Sequence, residues 1–435
     1  MSKVSSWPNK ALEQHVDLLP GFAFKSNQFT DVPSDVPLVK GADVQQGYID
    51  WDNCKHWPRS LTQDLGKFWL QEGDVILAMD RPWIPSGLKW AWIKRSSPKS
   101  LLVQRVARLR GKNGLFTDYL RYLIASPQFT DYIRPIVTGV TVPHISGTQI
   151  LGFSFYLPPF TTQQRIAAIL SAYDDLIENN LRRIKILEEM AQNLYREWFV
   201  KFRFPGHQQV RFTDSPLGRI PEQWQVASIS DIAIIHRGRS YKGTELADEG
   251  GRPFINLKCM ERDGGFRSSG LKRYTGLFKD TQTVRAGEMV MAITDMTQER
   301  RIVARVGRVS RLDSDFGILS MDLVRAASRG KLSEAYLYAM LRWSGFADEV
   351  KQHANGANVL HLLPDQIGEY HFVCPTPDIA TRFEEIVLPM LSLSETLEHR
   401  NTTLRRTRDL LLPRLISGEL DVSDLDVAVT EEPAV

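Results

Sequence analysis

The sequence predicts an α+β protein built from two tandem copies of one unit, each a globular part followed by a long helix. Three observations lead to this prediction. Apolar residues recur every three or four positions over residues 161–204, which is the spacing of one helical face. The chain matches itself when it is shifted by 217 positions. A second apolar stripe, over residues 378–416, lies where that shift places it.

The first long helix follows two prolines, and Thr161 or Thr162 can serve as its N-cap. A stripe of roughly forty residues spans about 58 Å and needs a partner of similar length, because a small domain cannot cover it. The second helix supplies this partner, and Pro389 within it predicts a kink or a break. We expect the two helices to pair as an antiparallel coiled-coil spacer between two heads. A long core helix of an all-α domain is the alternative.

The internal repeat keeps its register over most of the chain. Trp7 matches Trp224, Gly21 matches Gly238, and residues 139–145 match residues 356–362. These matches give the domain boundaries: a first head at 1–155, the first long helix at 156–205, a second head at 206–372, the second long helix at 373–420, and an acidic, disordered tail at 421–435. Strands are expected at 74–78, 101–109, 288–293 and 301–309, and helices near 118–125 and 334–342.

Composition limits the class of protein. With 435 residues, 43% hydrophobic and 24% charged, the chain is an ordinary globular protein of more than one domain. No apolar run reaches the roughly 18–20 residues of a membrane span, and the N-terminus lacks the apolar core of a signal peptide. The three cysteines lie far apart and suit a reducing compartment. We therefore expect a cytoplasmic protein.

Charge is unevenly placed along the chain. Residues 81–117 contain nine Lys/Arg and no Asp/Glu, and residues 236–311 contain sixteen Lys/Arg against nine Asp/Glu. The last twenty residues, 416–435, carry six acids and no base. Two separate basic regions predict a polyanion held at two places, although charge runs are commonly no more than solvated faces.

The candidate DNA contacts are basic residues interleaved with aromatic and polar ones. Arg and Lys neutralise phosphates, and Arg, Gln and Ser on loops also contact base edges. Taken singly, each is more simply explained as a solvated surface residue, and a tryptophan as a core residue. The candidates are Arg81, Trp83, Lys89, Lys94 and Arg95 in the first head, and Arg237, Arg239, Ser240, Tyr241, Lys242, Gln298, Arg300 and Arg301 in the second.

No catalytic set is found in the sequence. There is no phosphate-binding GxxxxGK[ST] loop, and residues 157–160 lack the polar residue that an adenine methyltransferase loop would need. His144 and His361 recur without a cysteine or acid at ligand spacing, so a structural role is favoured over a metal. The sequence predicts a non-catalytic chain with no cofactor of its own. Two rival hypotheses stay open: a coiled-coil scaffold whose heads bind protein, and a self-contained methyltransferase or nuclease.

Three stretches resemble the specificity subunit of type I restriction-modification enzymes. Residues 157–170 are similar to the start of that family's central helix, residues 217–224 to the start of its second target recognition domain, and residues 411–420 to the end of its last helix. Pro389 and the missing Gly-x-Ile-Pro start of the first head depart from the family's pattern.

The resemblance implies that each head reads one half of an asymmetric, two-part DNA target, with a gap fixed by the paired helices. It also implies two methyltransferase subunits, which bring S-adenosylmethionine, and two motor-endonuclease subunits, which use ATP. Tyr195, Trp198 and Phe199, near the end of the first helix, are candidate docking residues for these partners. Packing against the second helix is the simpler interpretation of each.

Overall fold

The chain divides into two compact units in a computed structural model that describes residues 7–137 and 143–427. Unit 1 comprises Met1–Ile177 and Thr403–Val435, and unit 2 comprises Glu178–Thr402. Both divisions fall within the long helices, so each unit holds one head and a part of both helices. Residues 139–142, which take part in the sequence repeat, lie outside the described residues.

The head of unit 1 is built on a four-stranded antiparallel sheet. In spatial order its strands are Val16–Pro20, Val106–Gly111, Val75–Ala78 and Trp90–Trp92. A second sheet orders His56–Trp57, Val36–Val39 and Leu101–Leu102, and two pairs join Asn9–Ala11 to Ser154–Tyr156 and Trp83–Ile84 to Gly87–Leu88. The short helices are Leu12–His15, Thr117–Ala125, Pro127–Ile133 and Gly147–Leu151.

The head of unit 2 repeats this topology. Its four-stranded sheet orders Ala233–Arg237, Leu323–Ser328, Met289–Ala292 and Val306–Arg308. A five-stranded sheet orders Leu246–Ala247, Lys272–Tyr274, Arg252–Ile255, Gly317–Leu319 and Thr283–Val284. Smaller pairs join Phe212–Ser215 to Gly218–Pro221, Gln225–Ser228 to His371–Cys374, and Thr294–Asp295 to Leu360–His361. The short helices are Ile229–Ile232, Glu334–Trp343, Phe346–Val350 and Pro364–Gly368.

The strand register confirms the sequence repeat. Ala107 pairs with Pro20 in unit 1, and Val324 pairs with Arg237 in unit 2, each number being larger by 217. The two heads are therefore copies of one fold at the level of individual residue pairs.

Two matched glycines occupy the same tight contact in the two heads. A Cβ atom on Gly21 would lie 2.2 Å from the carbonyl oxygen of Val103, and one on Gly238 would lie 2.0 Å from that of Ser320. Val103 and Ser320 are themselves 217 residues apart. Backbone meets backbone at both places, so only glycine fits.

The long helices run over Phe160–Tyr195, followed by a π-helical turn at Arg196–Val200, and over Pro377–Ile416. The second helix continues through Pro389, so the break expected there is wrong. Proline removes one hydrogen bond. Val387 and Leu391, on either side of it, are buried in the core of unit 2 and hold the helix in place.

The two helices pair antiparallel within each unit. In unit 2, the buried Asn180 amide donates to the side chain of Asn401 at 2.9 Å, and the ring of Tyr195 lies 6.3 Å from that of Phe383. The residue number rises along one helix as it falls along the other. In unit 1, Arg408 of the second helix pairs with Asp174 of the first at 2.6 Å.

Each core takes residues from the helix of the other copy. The core of unit 1 includes Leu412, Leu415 and Ile416. Val422 is also buried there, with 1% of its surface exposed, and Arg165 donates to the carbonyl of Ser423. Val422 and Ser423 are therefore held against the head, which differs from the disorder expected for the tail, whereas Asp424, Leu425 and Asp426 are exposed and residues 428–435 lie outside the described residues.

The described part of the chain holds no helix that is both long and apolar enough to span a membrane.

Three carboxylates of the helix pair converge in unit 2, namely those of Glu188, Glu395 and Glu398. Arg308 forms an ion pair with Glu395, and Ser310 donates to Glu398 at 3.4 Å. Burial, followed by repulsion from Glu188 and Glu395, raises the pKa of Glu398 to about 7. This carboxyl group is therefore easier to ionise in the unfolded chain than in the folded one.

The close contacts at the matched glycines predict a large cost for a single methyl group. Gly21→Ala and Gly238→Ala should each lower the free energy of unfolding by about 1–3 kcal/mol or more, because a backbone segment must shift. Gly66→Ala and Gly345→Ala are controls, since a Cβ at either position meets no atom within 4 Å. Urea unfolding of the four variants measures the effect, and equal stabilities would contradict the close contact.

The raised pKa of Glu398 predicts a pH-dependent loss of stability. The contribution of Glu398 to the free energy of unfolding is fully present below its ordinary pKa of 4.5 and is lost as pH rises through about 7. Glu398→Gln, which cannot ionise, should exceed the wild type by about 1–2 kcal/mol at pH 8, with the advantage shrinking towards pH 5. Unfolding curves across this range test it, with the exposed Glu385→Gln as control. A pH-independent difference would rule out this account.

Candidate nucleic-acid interface

A third of the cations in the basic run of the first head are neutralised within unit 1. Three of its nine cations form ion pairs with acids outside the run: Arg105 with Asp80, Arg108 with Asp17, and Arg110 with Asp74. These pairs fasten neighbouring strands of the four-stranded sheet. The count of charges in the sequence therefore overstates what a phosphate would meet.

Lys89 is not available as a DNA contact, which corrects the sequence prediction. Its side chain is buried, with 6% of its surface exposed, and its ammonium donates to the carbonyl oxygen of Gly41. Burial lowers the pKa of Lys89. Lys89 lies between Gly87–Leu88 and Trp90–Trp92, its carbonyl accepts a hydrogen bond from the backbone N–H of Ala78 at 3.0 Å, and its buried ammonium fastens the loop that contains Gly41.

The remaining candidates of the first head lie at opposite ends of its sheet. Arg81 follows Val75–Ala78, whereas Lys94 and Arg95 follow Trp90–Trp92, which runs antiparallel beside that strand. Both Arg81 and Arg95 are exposed. One flat partner at one end of the sheet cannot contact both.

Trp83 and Lys94 are held by neighbouring side chains. The guanidinium of Arg134 lies 5.4 Å from the ring of Trp83, and the ammonium of Lys94 lies 5.1 Å from the ring of Trp92. Cation–π contacts of this kind fix the position of a half-buried ring.

The candidates of the second head come together at one end of its sheet. Arg237 ends Ala233–Arg237 beside Val324, and Met289–Ala292 ends with Ala292 beside Leu323. The segment 237–242 and the loop 294–301 leave the sheet at these two points. We call this the loop end of the second head, and the equivalent end of the first head is the one that carries Arg81.

The segment 237–242 contributes both exposed and anchored side chains. Arg237, Ser240 and Lys242 are exposed. Arg239 donates to the hydroxyl of Tyr274 and forms a 3.6 Å ion pair with Glu245, and the ring of Tyr241 packs on Phe254. Arg239 and Tyr241 thus hold the segment in place, and the other three present their polar groups to solvent.

The loop 294–301 is organised around the buried Asp295. Its carboxylate accepts hydrogen bonds from the backbone N–H groups of Thr297 at 2.9 Å and Ile302 at 2.8 Å. Although burial alone would raise the pKa of Asp295, these bonds hold it below the ordinary value. The carboxylate therefore stays ionised and keeps the loop in one conformation.

Two predicted contacts in this loop are partly used by the fold. Gln298 donates to the carbonyls of Gly356 and Ala357, and Arg300 donates to the side chain of Gln352 at 3.0 Å. Arg301 is exposed.

Sequence reasoning missed a basic depression beside Arg301. Its charged lining consists of the cations Lys258, Arg262, Arg267 and Arg301 against the acids Glu261 and Asp263, and the exposed Met296 lies beside them. The sequence feature that could have predicted this depression is a pair of cations, at 258 and 262, in a loop rich in glycine. The depression extends the cationic surface of the loop end.

Tyr195, Trp198 and Phe199 are core residues, and their predicted docking role is wrong. All three are buried in unit 2, where the ring of Phe199 lies 4.7 Å from that of Tyr336 and 5.0 Å from that of Phe383. The π-helical turn at Arg196–Val200 ends the helix and directs these rings into the head.

The histidines and cysteines have structural surroundings. The Nδ1 atom of His144 lies 2.6 Å from the Oδ1 atom of Asp80, and the backbones of these two residues form a β-bridge. The backbones of His361 and Thr294 pair in the same way in the second head. Within residues 7–137 and 143–427, no three His, Cys, Asp or Glu side chains form a group able to hold a metal ion. The three cysteines are buried free thiols.

Comparison with known proteins agrees with this architecture. A family model described as the type I restriction modification DNA specificity domain matches residues 5–189. The MjaIX specificity subunit of Methanocaldococcus jannaschii is 26% identical over 323 residues, which cover 72% of this chain and 71% of the relative. The EcoAI specificity subunit of Escherichia coli is 35% identical over 171 residues, covering 39% of this chain and 28% of the relative.

A solved structure is also similar over nearly the whole chain. The crystal structure of the type I restriction-modification S subunit from M. genitalium covers 94% of this chain and 96% of its own, with a TM-score of 0.60 and 14% identity. At that identity the likeness shows the fold. The family model over residues 5–189 and the named relatives agree with the repeat and the strand register: this chain is similar to type I restriction-modification specificity subunits.

Proposed function

We propose that this chain is the DNA sequence-specificity subunit of a type I restriction-modification enzyme, and that each head reads one half of a two-part target. The observation that carries this proposal is the repeated sheet: both heads have the same strand order, with exposed cations where matched strands end. The names of the relatives support the same conclusion.

The exposed cations of the loop ends position the DNA by its phosphates. In this proposal Arg81 acts in the first head, and Arg237, Lys242, Lys258 and Arg301 act in the second. Phosphate contacts fix register without reading sequence. Polar side chains such as Ser240 and Gln298 then read base edges. Because the loops of the two heads differ in sequence, the two halves of the target differ.

The paired helices set the distance between the half-sites. Antiparallel pairing within each unit, with the Asn180–Asn401 hydrogen bond buried in the pair, supports a fixed register. A buried polar pair of this kind penalises alternative registers.

Methyltransferase and motor-endonuclease subunits, two of each, are the proposed partners, with S-adenosylmethionine and ATP bound on those subunits and no catalysis by this chain. The complex would act on DNA in the cytoplasm. Exposed apolar side chains on the helices of unit 2, rather than the buried Tyr195, Trp198 and Phe199, are the proposed docking residues. They are Ile186, Met190, Ile386 and Leu388.

DNA binding by the full chain should weaken steeply with salt, because neutralised phosphates release counterions. Arg81→Ala should weaken binding to a random-sequence duplex and reduce the slope of log K against log salt by about one. Fluorescence anisotropy titrations at several salt concentrations measure both quantities.

Arg95→Ala is the matched control, because Arg95 is also exposed but lies at the opposite end of the same sheet. It should leave affinity and slope unchanged. Equal losses in the two variants would refute the loop-end assignment, and salt-independent binding by the wild type would refute the proposed function.

A further inference from the structure

One exposed leucine in each head shares an arrangement with the other. Leu277 in the second head has 84% of its surface exposed, and Leu61 in the first has 47%. Each follows a strand of the second sheet of its head, Lys272–Tyr274 and His56–Trp57. Scattered exposed leucines need no explanation, but these two share a further feature.

An aromatic side chain holds the backbone beneath each leucine. The hydroxyl of Tyr274 lies 3.0 Å from the carbonyl oxygen of Leu277, and the indole N–H of Trp57 donates to that of Leu61 at 3.1 Å. The two strands are equivalent, because Lys272–Tyr274 pairs with Arg252–Ile255 as His56–Trp57 pairs with Val36–Val39. The same device thus occurs in both heads although the loop sequences differ.

The base of the Leu277 loop is closely packed. The backbone N–H of Thr275 donates to the carbonyl of Glu245 at 2.9 Å. A Cβ atom on Gly276 would lie 2.5 Å from both the Glu245 carboxylate and the Tyr274 hydroxyl. The backbone is therefore fixed while the leucine side chain projects into solvent, which is the arrangement of a preorganised contact.

Leu277 lies at the loop end of the second head. Tyr274, which holds its backbone, also accepts a hydrogen bond from Arg239 in the segment 237–242. Three exposed lysines, Lys242, Lys272 and Lys279, lie in the segments around this network, together with the exposed Asp280 and with Glu245, which pairs with Arg239. In the first head, the ring of Trp57 packs at 4.8 Å on Phe24, which follows the strand Val16–Pro20 at the corresponding end.

An apolar tip at the loop end, with lysines in the neighbouring segments as at Leu277, is complementary to DNA. The cations match the phosphates, and the base stack is the apolar surface behind them. Apolar wedges such as Leu and Phe can enter between base pairs and unstack them. A protein partner would have to present an apolar depression surrounded by acidic residues. A DNA duplex already combines apolar bases with anionic phosphates.

We propose that Leu277, and Leu61 as its counterpart, insert between base pairs of the half-site read by their own head. The inference rests on the proposed function and adds that recognition includes local unstacking of the target. A wedge of this kind discriminates by how readily a base step opens, so it reads sequence without a hydrogen bond.

The test uses the full chain and a DNA duplex that carries the two-part motif methylated in the host. The base analogue 2-aminopurine is placed at successive positions of one half-site at a time, where it reports unstacking. The variants are Leu277→Ala and Leu61→Ala. Leu217→Ala is the control, an exposed leucine at the turn between Phe212–Ser215 and Gly218–Pro221. Because all three side chains are solvent-exposed, thermal unfolding should be unchanged.

Wild-type binding should raise 2-aminopurine fluorescence in both half-sites. Leu277→Ala should abolish the rise in one half-site and Leu61→Ala in the other. Each should weaken specific binding on the order of tenfold to a hundredfold, the value of burying a leucine, without changing the salt slope. Leu217→Ala should match the wild type.

The experiment distinguishes failure of the leucine-wedge proposal from failure of the proposed function. A wild type that prefers its target but raises no fluorescence, or whose Leu277→Ala variant matches Leu217→Ala, would overturn the wedge alone. A wild type that binds target and scrambled duplexes equally would overturn the proposed function and the wedge with it.

Discussion

The antiparallel pairing of the two long helices is the constraint on which the rest of the structure depends. An apolar stripe of this length cannot be covered by one small domain. The end of the second helix completes the core of unit 1 with Leu412, Leu415 and Ile416, and the end of the first helix completes that of unit 2 with Trp198 and Phe199. Neither head therefore has a complete core without the helix of the other copy. The sequence repeat therefore reflects a duplication, and both copies are required for folding.

Electrostatics divides the cations of the heads into two groups with different roles. One group is used by the fold, as where Arg108 and Arg110 pair with acids on neighbouring strands and Lys89 is buried. The other group remains exposed at the loop ends, where matched strands finish. Only the second group can contribute to a salt-dependent contact with phosphates. Exposure alone is not sufficient, because Arg81 and Arg95 are both exposed but lie at opposite ends of one sheet, where one partner cannot reach both.

The sequence predicted the architecture well because the signals were periodic. Helical spacing and the 217-residue repeat can be recognised without knowledge of tertiary contacts, and the structure reproduces the repeat in the matched close contacts of Gly21 and Gly238. The site was predicted less well, since burial and strand direction are tertiary properties. Lys89 is of a residue type that commonly contacts DNA, but it is buried. Trp198 is of a residue type that commonly contacts protein partners, but it belongs to a core. Pro389 does not break its helix, because packing on both sides outweighs one lost hydrogen bond.

The central claim is that two equivalent heads each read one half-site. Replacing residues 221–372 with residues 4–155 would give a chain with two copies of the first head in matching register. Sequencing of adenine methylation in host DNA, with the wild type or this variant as the only specificity subunit, measures what each chain reads. The account predicts that the asymmetric two-part motif is replaced by a symmetric one made of two copies of the first half-site. Persistence of the second half-site in the methylated motif would contradict it.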